Sequence, residues 1–359
     1  MIALRRKSVE VLEGLKLQND QMSLSQKLHS LLVGQEHAVE TITTYVEIYQ
    51  AGLSDAERPA AVILLHGPTG CGKTRTVEAL AAALHKNEKK LLRVDCTEYG
   101  LDHETAKLTG APPGYLGHRE TQPAINQQKL AAVTSNDSDL SLVLFDEIEK
   151  ASSAFKRLLL GVLDKGTLSL GDNQRVSFAK SMVFMTSNIG AEEIARAAAG
   201  GIGLPGTERK GNLSEHTFRK AFPPEFLNRI DERILYHALE KDQLYAVLDL
   251  LLLDLQCRII DKYNADGCVL NVTKNAKDFL IERGTSKVYG ARELRRTVQS
   301  QLTKNLASIF LSSGSMKEKR MDVDATSTEL VFDITDSTDD ERLQKSIDFA
   351  TWRQRKNAG

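Results

Sequence analysis

The segment Gly67-Pro68-Thr69-Gly70-Cys71-Gly72-Lys73-Thr74 carries the sharpest chemical signal in the chain. Glycines at this spacing let successive backbone amides turn inward around an anion. A lysine at its end reaches the β and γ phosphates of a nucleotide, and the hydroxyl after it is a hard-oxygen ligand for Mg²⁺. The apolar run Val62 to His66 precedes the turn, and a helical pattern from Lys73 to Leu84 follows it. The amides and the positive end of the helix dipole therefore face the same point. The chemistry expected is the binding of ATP with Mg²⁺. Thr69, Gly70, Cys71, Gly72, Lys73 and Thr74 form the cradle, and Thr74 is a metal ligand.

A cradle alone does not hydrolyse anything. The run Val143-Leu144-Phe145-Asp146-Glu147 supplies the missing pair. Its apolar part reads as a buried strand that delivers Asp146 to the carboxyl end of a parallel sheet, beside the cradle. Asp146 is then placed to hold Mg²⁺, and Glu147 to polarise the attacking water. Ser181 to Thr186 is another apolar strand, and Asn188 follows it. An amide there can hydrogen-bond the γ phosphate or the water, although Ser187 and Asn188 would also suit an ordinary turn.

These residues need strands and helices in alternation to bring them together. Val62–His66, Lys90–Asp95, Leu140–Phe145 and Ser181–Thr186 are short apolar or β-branched runs separated by helical patterns. This is the signature of βαβ units and a doubly wound parallel α/β sheet. From Lys241 to Ser312 the spacing becomes helical, with one strand-like break near Cys268 to Val272. The alternation in Met321–Asp324 and Glu329–Thr335 fits a hairpin added to that smaller region. The expected division is a short helical extension over 1–27, an α/β ATPase domain over 28–236, a mostly helical lid over 237–340 and a charged tail over 341–359.

Bulk composition narrows the classes. The 359 residues are 41% hydrophobic and 26% charged, an ordinary globular mixture. The 47 basic and 48 acidic side chains nearly cancel, which argues against nucleic acid as the main partner. The four cysteines form no CxxC pair and fit a reducing compartment. The most apolar window, Val247–Leu255, is broken by Asp249 and Asp254, too short for a membrane span. A cytoplasmic protein without a membrane partner is expected.

With these segments in hand, the chain resembles the Clp-type AAA+ protein unfoldases, in particular the second ATPase module of two-ring members, here as a single-ring form. The resemblance runs from about residue 28 to 312. It rests on Val33-Gly34-Gln35, the phosphate loop, Gly110–Gly117, Phe145–Lys150, Thr186–Asn188, Pro224–Asp231 and Tyr289–Leu294, in that order. It implies an AAA+ core with a helical lid, assembled as a homo-hexamer with ATP between subunits. It places Val33 and Gly34 by the adenine, makes Asn188 the first sensor and Arg292 the second, and makes Arg229 the arginine finger that reaches a neighbour's γ phosphate. A planar guanidinium suits both arginine roles, because it binds phosphate oxygens bidentately.

The resemblance also implies where work is done. Tyr115, with Leu116 beside it, matches the aromatic that projects into the central pore and grips unfolded or aggregated protein. An aromatic offers large contact area without requiring a particular partner side chain. Leu168–Val176 follows the family's secondary pore loop only loosely, and its role stays open. Ile202-Gly203-Leu204, in a Gly-rich stretch, resembles the loop by which some members dock on a barrel peptidase. A stray aliphatic packed on the core is the competing reading. The function expected is an ATP-dependent unfoldase or remodelling chaperone. The alternatives are a regulatory ATPase subunit of a Clp-type protease and a nucleic-acid-dependent AAA+ motor.

Overall fold

The computed structural model describes residues 22–110, 123–190, 217–263, 268–285, 290–313, 316–338 and parts of 340–351. The chain divides into two compact units. One holds Gln35–Pro68 and Gly72–His237, and the other holds Met1–Gly34, Thr69–Cys71 and Ala238–Gly359.

The described strands of the first unit are, in chain order, β1 (Ala61–His66), β2 (Leu92–Asp95), β3 (Ser141–Asp146), β4 (Thr167–Ser169), β5 (Arg175–Ser177), β6 (Ser181–Ser187) and β7 (Glu232–Leu235). Five of them make one sheet in the order β2-β3-β6-β1-β7. Every pairing in it is parallel. β1, β3 and β6 are buried along their whole length, whereas β2 and β7 at the rims are largely open. That difference follows from sequence. A central parallel strand is covered on both faces and reads as an unbroken apolar run. The rim strand β7, Glu232-Arg233-Ile234-Leu235, buries only Ile234 and gives no such run.

Helices follow the strands as parallel crossovers require. Lys73–His85 follows β1, and Ser153–Lys165 follows β3. The latter begins where Ser152 Oγ accepts from Phe155 N–H and ends at Gly166, whose φ of 55° suits a residue without a Cβ. Phe155 lies 6.1 Å from Phe145 and 4.9 Å from Tyr99, ring centre to ring centre, fastening the helix to the sheet. Full burial of each phenyl ring contributes about 1.5–3 kcal/mol. β4 and β5 form a separate antiparallel hairpin with Leu168 and Val176 buried. The stretch Leu168–Val176 is therefore a hairpin anchored in the core.

The second unit contains the helices Leu24–Leu31, Lys241–Tyr263, Lys274–Gly284, Ala291–Thr297 and Lys304–Ser312, with a π-helical stretch over Val298–Thr303. The unit also contains β8 (Val269–Val272), β9 (Lys319–Ala325) and β10 (Leu330–Asp336), which share a core with the helices from Lys241 onward. β8 pairs parallel to β9, and β9 pairs antiparallel to β10. The alternating tail thus forms its hairpin and joins the strand-like break near Cys268 in a three-stranded sheet. The buried amide of Gln256 stitches helix to sheet. Its Nε2 donates to Cys268 O at 3.0 Å, and its Oε1 accepts from Leu270 N–H at 2.6 Å. Among the described residues, no helix is long and apolar enough to cross a membrane.

Candidate nucleotide site

Strand register assembles the site. His66 lies opposite Ser187, Phe145 opposite Met185 and Asp95 opposite Asp146. The phosphate loop, Asp146 and Asn188 therefore all leave the sheet at its carboxyl edge, where ligands of open α/β sheets bind.

Lys73 is buried, and its ammonium points back along the loop. Nζ donates to Gly67 O at 2.7 Å, to Pro68 O at 2.8 Å and to Asn188 Oδ1 at 3.0 Å. An ammonium is a donor only, and these acceptors hold it against the phosphate loop. Lys73 and Asn188, expected separately from sequence, are brought into direct contact.

Asp146 is also buried. Its Oδ1 accepts from Thr186 Oγ1 in a short hydrogen bond and from Thr74 Oγ1 at 3.4 Å. Its Oδ2 pairs with Arg93 Nη2 at 2.5 Å. Thr186 also accepts from the backbone N–H of Glu147 at 3.0 Å, through the same hydroxyl. Glu147 itself adopts the left-handed conformation, with φ 56° and ψ 49°. A residue with a Cβ pays about 1–2 kcal/mol for that region, and such outliers collect at functional sites. The chain turns sharply off β3 there, immediately after the Asp146 carboxylate.

Loop geometry explains the glycines. Gly67, Gly70 and Gly72 all have positive φ, at 140°, 77° and 105°. A Cβ on Gly67 would lie 2.4 Å from Tyr236 O, and that residue is pinned because its N–H donates to His66 O at 2.7 Å. A Cβ on Gly72 would meet nothing within 4 Å, so its requirement is conformational only. Gly67→Ala is therefore expected to lower stability by about 2 kcal/mol or more, through both clash and strained φ. Chemical denaturation compared with Gly72→Ala, which carries only the conformational penalty, checks this.

His66 closes β1 directly before the loop. Its ring packs edge-on against Phe218 at 4.7 Å between centres. Burial, then the positive charges of Arg233, Lys73 and His237, lowers its pKa to about 4. The imidazole is therefore neutral at pH 7 and adds no charge beside the cradle.

The remaining expected residues are placed as follows. Cys71 is buried and forms no disulfide. Arg229 stands after the short helix Pro224–Leu227, with Nη1 donating to Glu225 O at 2.6 Å and Nη2 lying 3.6 Å from Asp164 Oδ2. Its neighbour Asp231 is used elsewhere, pairing with Arg58 and accepting from Val62 N–H. Val33 and Gly34 precede Gln35, whose side chain exchanges two hydrogen bonds with the His237 backbone. Arg292 is exposed near the start of the helix Ala291–Thr297. Within the unit that contains both, Ala291 N–H donates to Gly70 O at 3.1 Å. Tyr115, Leu116 and Ile202–Leu204 lie outside the described residues.

Two residues at the site escape a reading of motifs. Arg93 sits two positions before Asp95, the register partner of Asp146, and reaches forward along β2 to its carboxylate. Glu149 Oε1 accepts from Asn188 N–H at 3.1 Å. Parallel register between β2 and β3 would have found the first; only three-dimensional packing shows the second.

The strand order and the cradle define a phosphate-loop nucleotide-binding protein. Comparison with known proteins sharpens this. A family described as "AAA domain (Cdc48 subfamily)" matches residues 58–233, and one described as "C-terminal, D2-small domain, of ClpB protein" matches 239–323. Chaperone protein ClpB of Prochlorococcus marinus is 34% identical over 315 residues, covering 87% of this chain and 34% of the relative. The ATP-dependent Clp protease ATP-binding subunit ClpC of Staphylococcus saprophyticus is 34% identical over 324 residues, covering 89% and 38%. A cryo-EM structure of Hsp104 in a closed state with ATPγS and FITC casein superposes with a TM-score of 0.74 at 30% identity, covering 87% of this chain and 51% of that one. The chain belongs to the Clp-type AAA+ ATPases. It spans between a third and two fifths of the length of these curated relatives.

Proposed function

We propose that this chain binds Mg²⁺-ATP, hydrolyses it, and spends the energy unfolding or remodelling proteins threaded through a ring. One observation carries the reading: Lys73, Thr74, Asp146, Glu147 and Asn188 converge at one sheet edge, with Lys73 bonded to Asn188 and Thr74 facing Asp146. The oxygens of Thr74 and Asp146 suit a hard cation. Among the described residues no group of three or more His, Cys, Asp or Glu could hold a metal by itself. That donor set fits Mg²⁺, which is commonly held by one or two protein oxygens together with substrate phosphates and water. Mg²⁺ would neutralise charge on the β and γ phosphates. Lys73 orients the phosphates, Glu147 draws the proton from the attacking water, and Asn188 hydrogen-bonds the γ phosphate.

In this reading residues 28–236 form the ATPase domain and 237–340 the lid, with Val33 and Gly34 by the base and Arg292 as a lid contact to phosphate. The assembly is a homo-hexamer in which Arg229 serves the neighbour's site. Release from Asp164 frees its guanidinium for that role. Tyr115 and Leu116 grip the polypeptide. The four cysteines are buried and none is in a disulfide, which suits a reducing cytoplasm. A second reading, the ATPase subunit of a Clp-type protease docked through Ile202–Leu204, is favoured by the likeness to ClpC. The near-neutral charge of −1 opposes a nucleic-acid motor.

The test is ATP-driven loss of fluorescence from a folded fluorescent protein bearing an unstructured tag. Unfolding with ATP but not ADP is expected, and Tyr115→Ala should lower the unfolding achieved per ATP hydrolysed by more than about tenfold. Unfolding by Tyr115→Ala at the wild-type yield per ATP, or no ATP-dependent unfolding at all, contradicts the reading.

A further inference from the structure

Glu149 lies in the turn Ile148–Lys150, two residues beyond Glu147. β6 ends at Ser187, so the N–H of Asn188 falls one residue past the sheet ladder. Glu149 Oε1 takes that N–H at 3.1 Å. The carboxylate of one strand's exit turn thus holds the backbone of the neighbouring strand's exit residue. Asn188 Oδ1 then meets Lys73 Nζ at 3.0 Å.

The rest of the Glu149 side chain is held in a demanding setting. Its Oε2 is buried without a hydrogen-bond partner. A buried carboxylate oxygen without a donor is costly, so the carboxylate sits where few positions would tolerate one. Lys156 is the cation whose charge it feels. The Lys156 ammonium donates to Glu149 O at 3.3 Å and to Ala221 O at 3.5 Å, and lies 5.2 Å from the centre of the Phe222 ring. Burial lowers the Lys156 pKa, and the Glu149 charge opposes that shift.

We infer that Glu149 is a positioning residue that fixes Asn188 against Lys73 and so sets the preference of the site for ATP over ADP. This rests on the reading of Asn188 as the residue that contacts the γ phosphate. Without the Glu149 acceptor, Asn188 loses this backbone anchor, and its side-chain amide is less well aimed at the third phosphate. The loop amides that would receive the α and β phosphates do not depend on it. Lys156 ties the same turn to Ala221 and Phe222, which lie just ahead of Pro223, the N-cap of the helix Pro224–Leu227 that leads to Arg229.

Equilibrium binding of fluorescent ATPγS and ADP separates the possibilities. Glu149→Ala is expected to lose about tenfold in ATPγS affinity while ADP affinity stays within twofold, the loss of about one hydrogen bond to the γ phosphate. Glu149→Gln keeps an acceptor for the Asn188 N–H and should retain most of the preference. Equal losses for both nucleotides, or no loss, overturn the proposal, provided Asn188→Ala loses the preference. An Asn188→Ala variant that keeps the preference overturns the γ-phosphate reading, and the proposal with it. Should Glu149→Ala fail to fold by thermal melting, Glu149→Asp, shorter by one methylene, supplies the same comparison.

Discussion

Glu147→Gln is expected to leave ATP bound and to slow its hydrolysis by about 10²–10⁴-fold, the usual worth of a general base. The amide has nearly the same shape as the carboxylate but does not accept the water's proton at neutral pH. The backbone is unaffected, because the Glu147 contact to Thr186 is made through its N–H. The left-handed φ of 56° is likewise a property of the backbone turn. The binding groups Lys73, Thr74 and Asp146 keep their partners. Single-turnover hydrolysis alongside equilibrium ATP binding checks this, with unchanged affinity and a collapsed rate as the expected pair.

Lys73→Ala is expected to act on the other quantity. A hydrogen bond to a charged group is worth about 1.5–3 kcal/mol. Removing the ammonium from two phosphate oxygens therefore weakens ATP binding by about 100-fold or more. The substitution also strips donors from Gly67 O, Pro68 O and Asn188 Oδ1. Part of the loss reflects a loosened loop. Lys73→Arg separates the two effects: its bulkier fork keeps the charge but does not fit the same three acceptors, so it should bind nucleotide between wild type and alanine. Isothermal calorimetry with ATPγS gives the ranking.

Residues whose role depends on covalent spacing were legible in the sequence. Gly67 to Thr74 needs only a strand, a turn and a helix in order, and Asp146 and Glu147 only an apolar strand that ends. The buried strands β1, β3 and β6 announce themselves by unbroken apolar runs. β7 does not, because a short rim strand needs few apolar residues. The tail hairpin was visible as alternation, and β8 as a brief break in helical spacing. Arg93 and Glu149 were not legible as site residues. Arg93 depends on register across β2 and β3, and Glu149 on a side chain that crosses from one exit turn to the next strand. Neither leaves a periodic trace. Arg229 is singled out only by the resemblance; its carboxylate neighbour in the structure is Asp164, sixty-five positions away, while Asp231, two residues on, pairs with Arg58.

In the proposed function, one sheet edge both holds ATP and breaks it, through different residues. Release of ADP from ATP, measured side by side with ATP binding for the wild-type chain, Glu147→Gln and Lys73→Ala, tests it most directly. The wild type is expected to bind and turn over ATP, Glu147→Gln to bind without turnover, and Lys73→Ala to bind about 100-fold more weakly and not to turn over. Turnover by Glu147→Gln at the wild-type rate, or ATP binding by Lys73→Ala at the wild-type affinity, would contradict it.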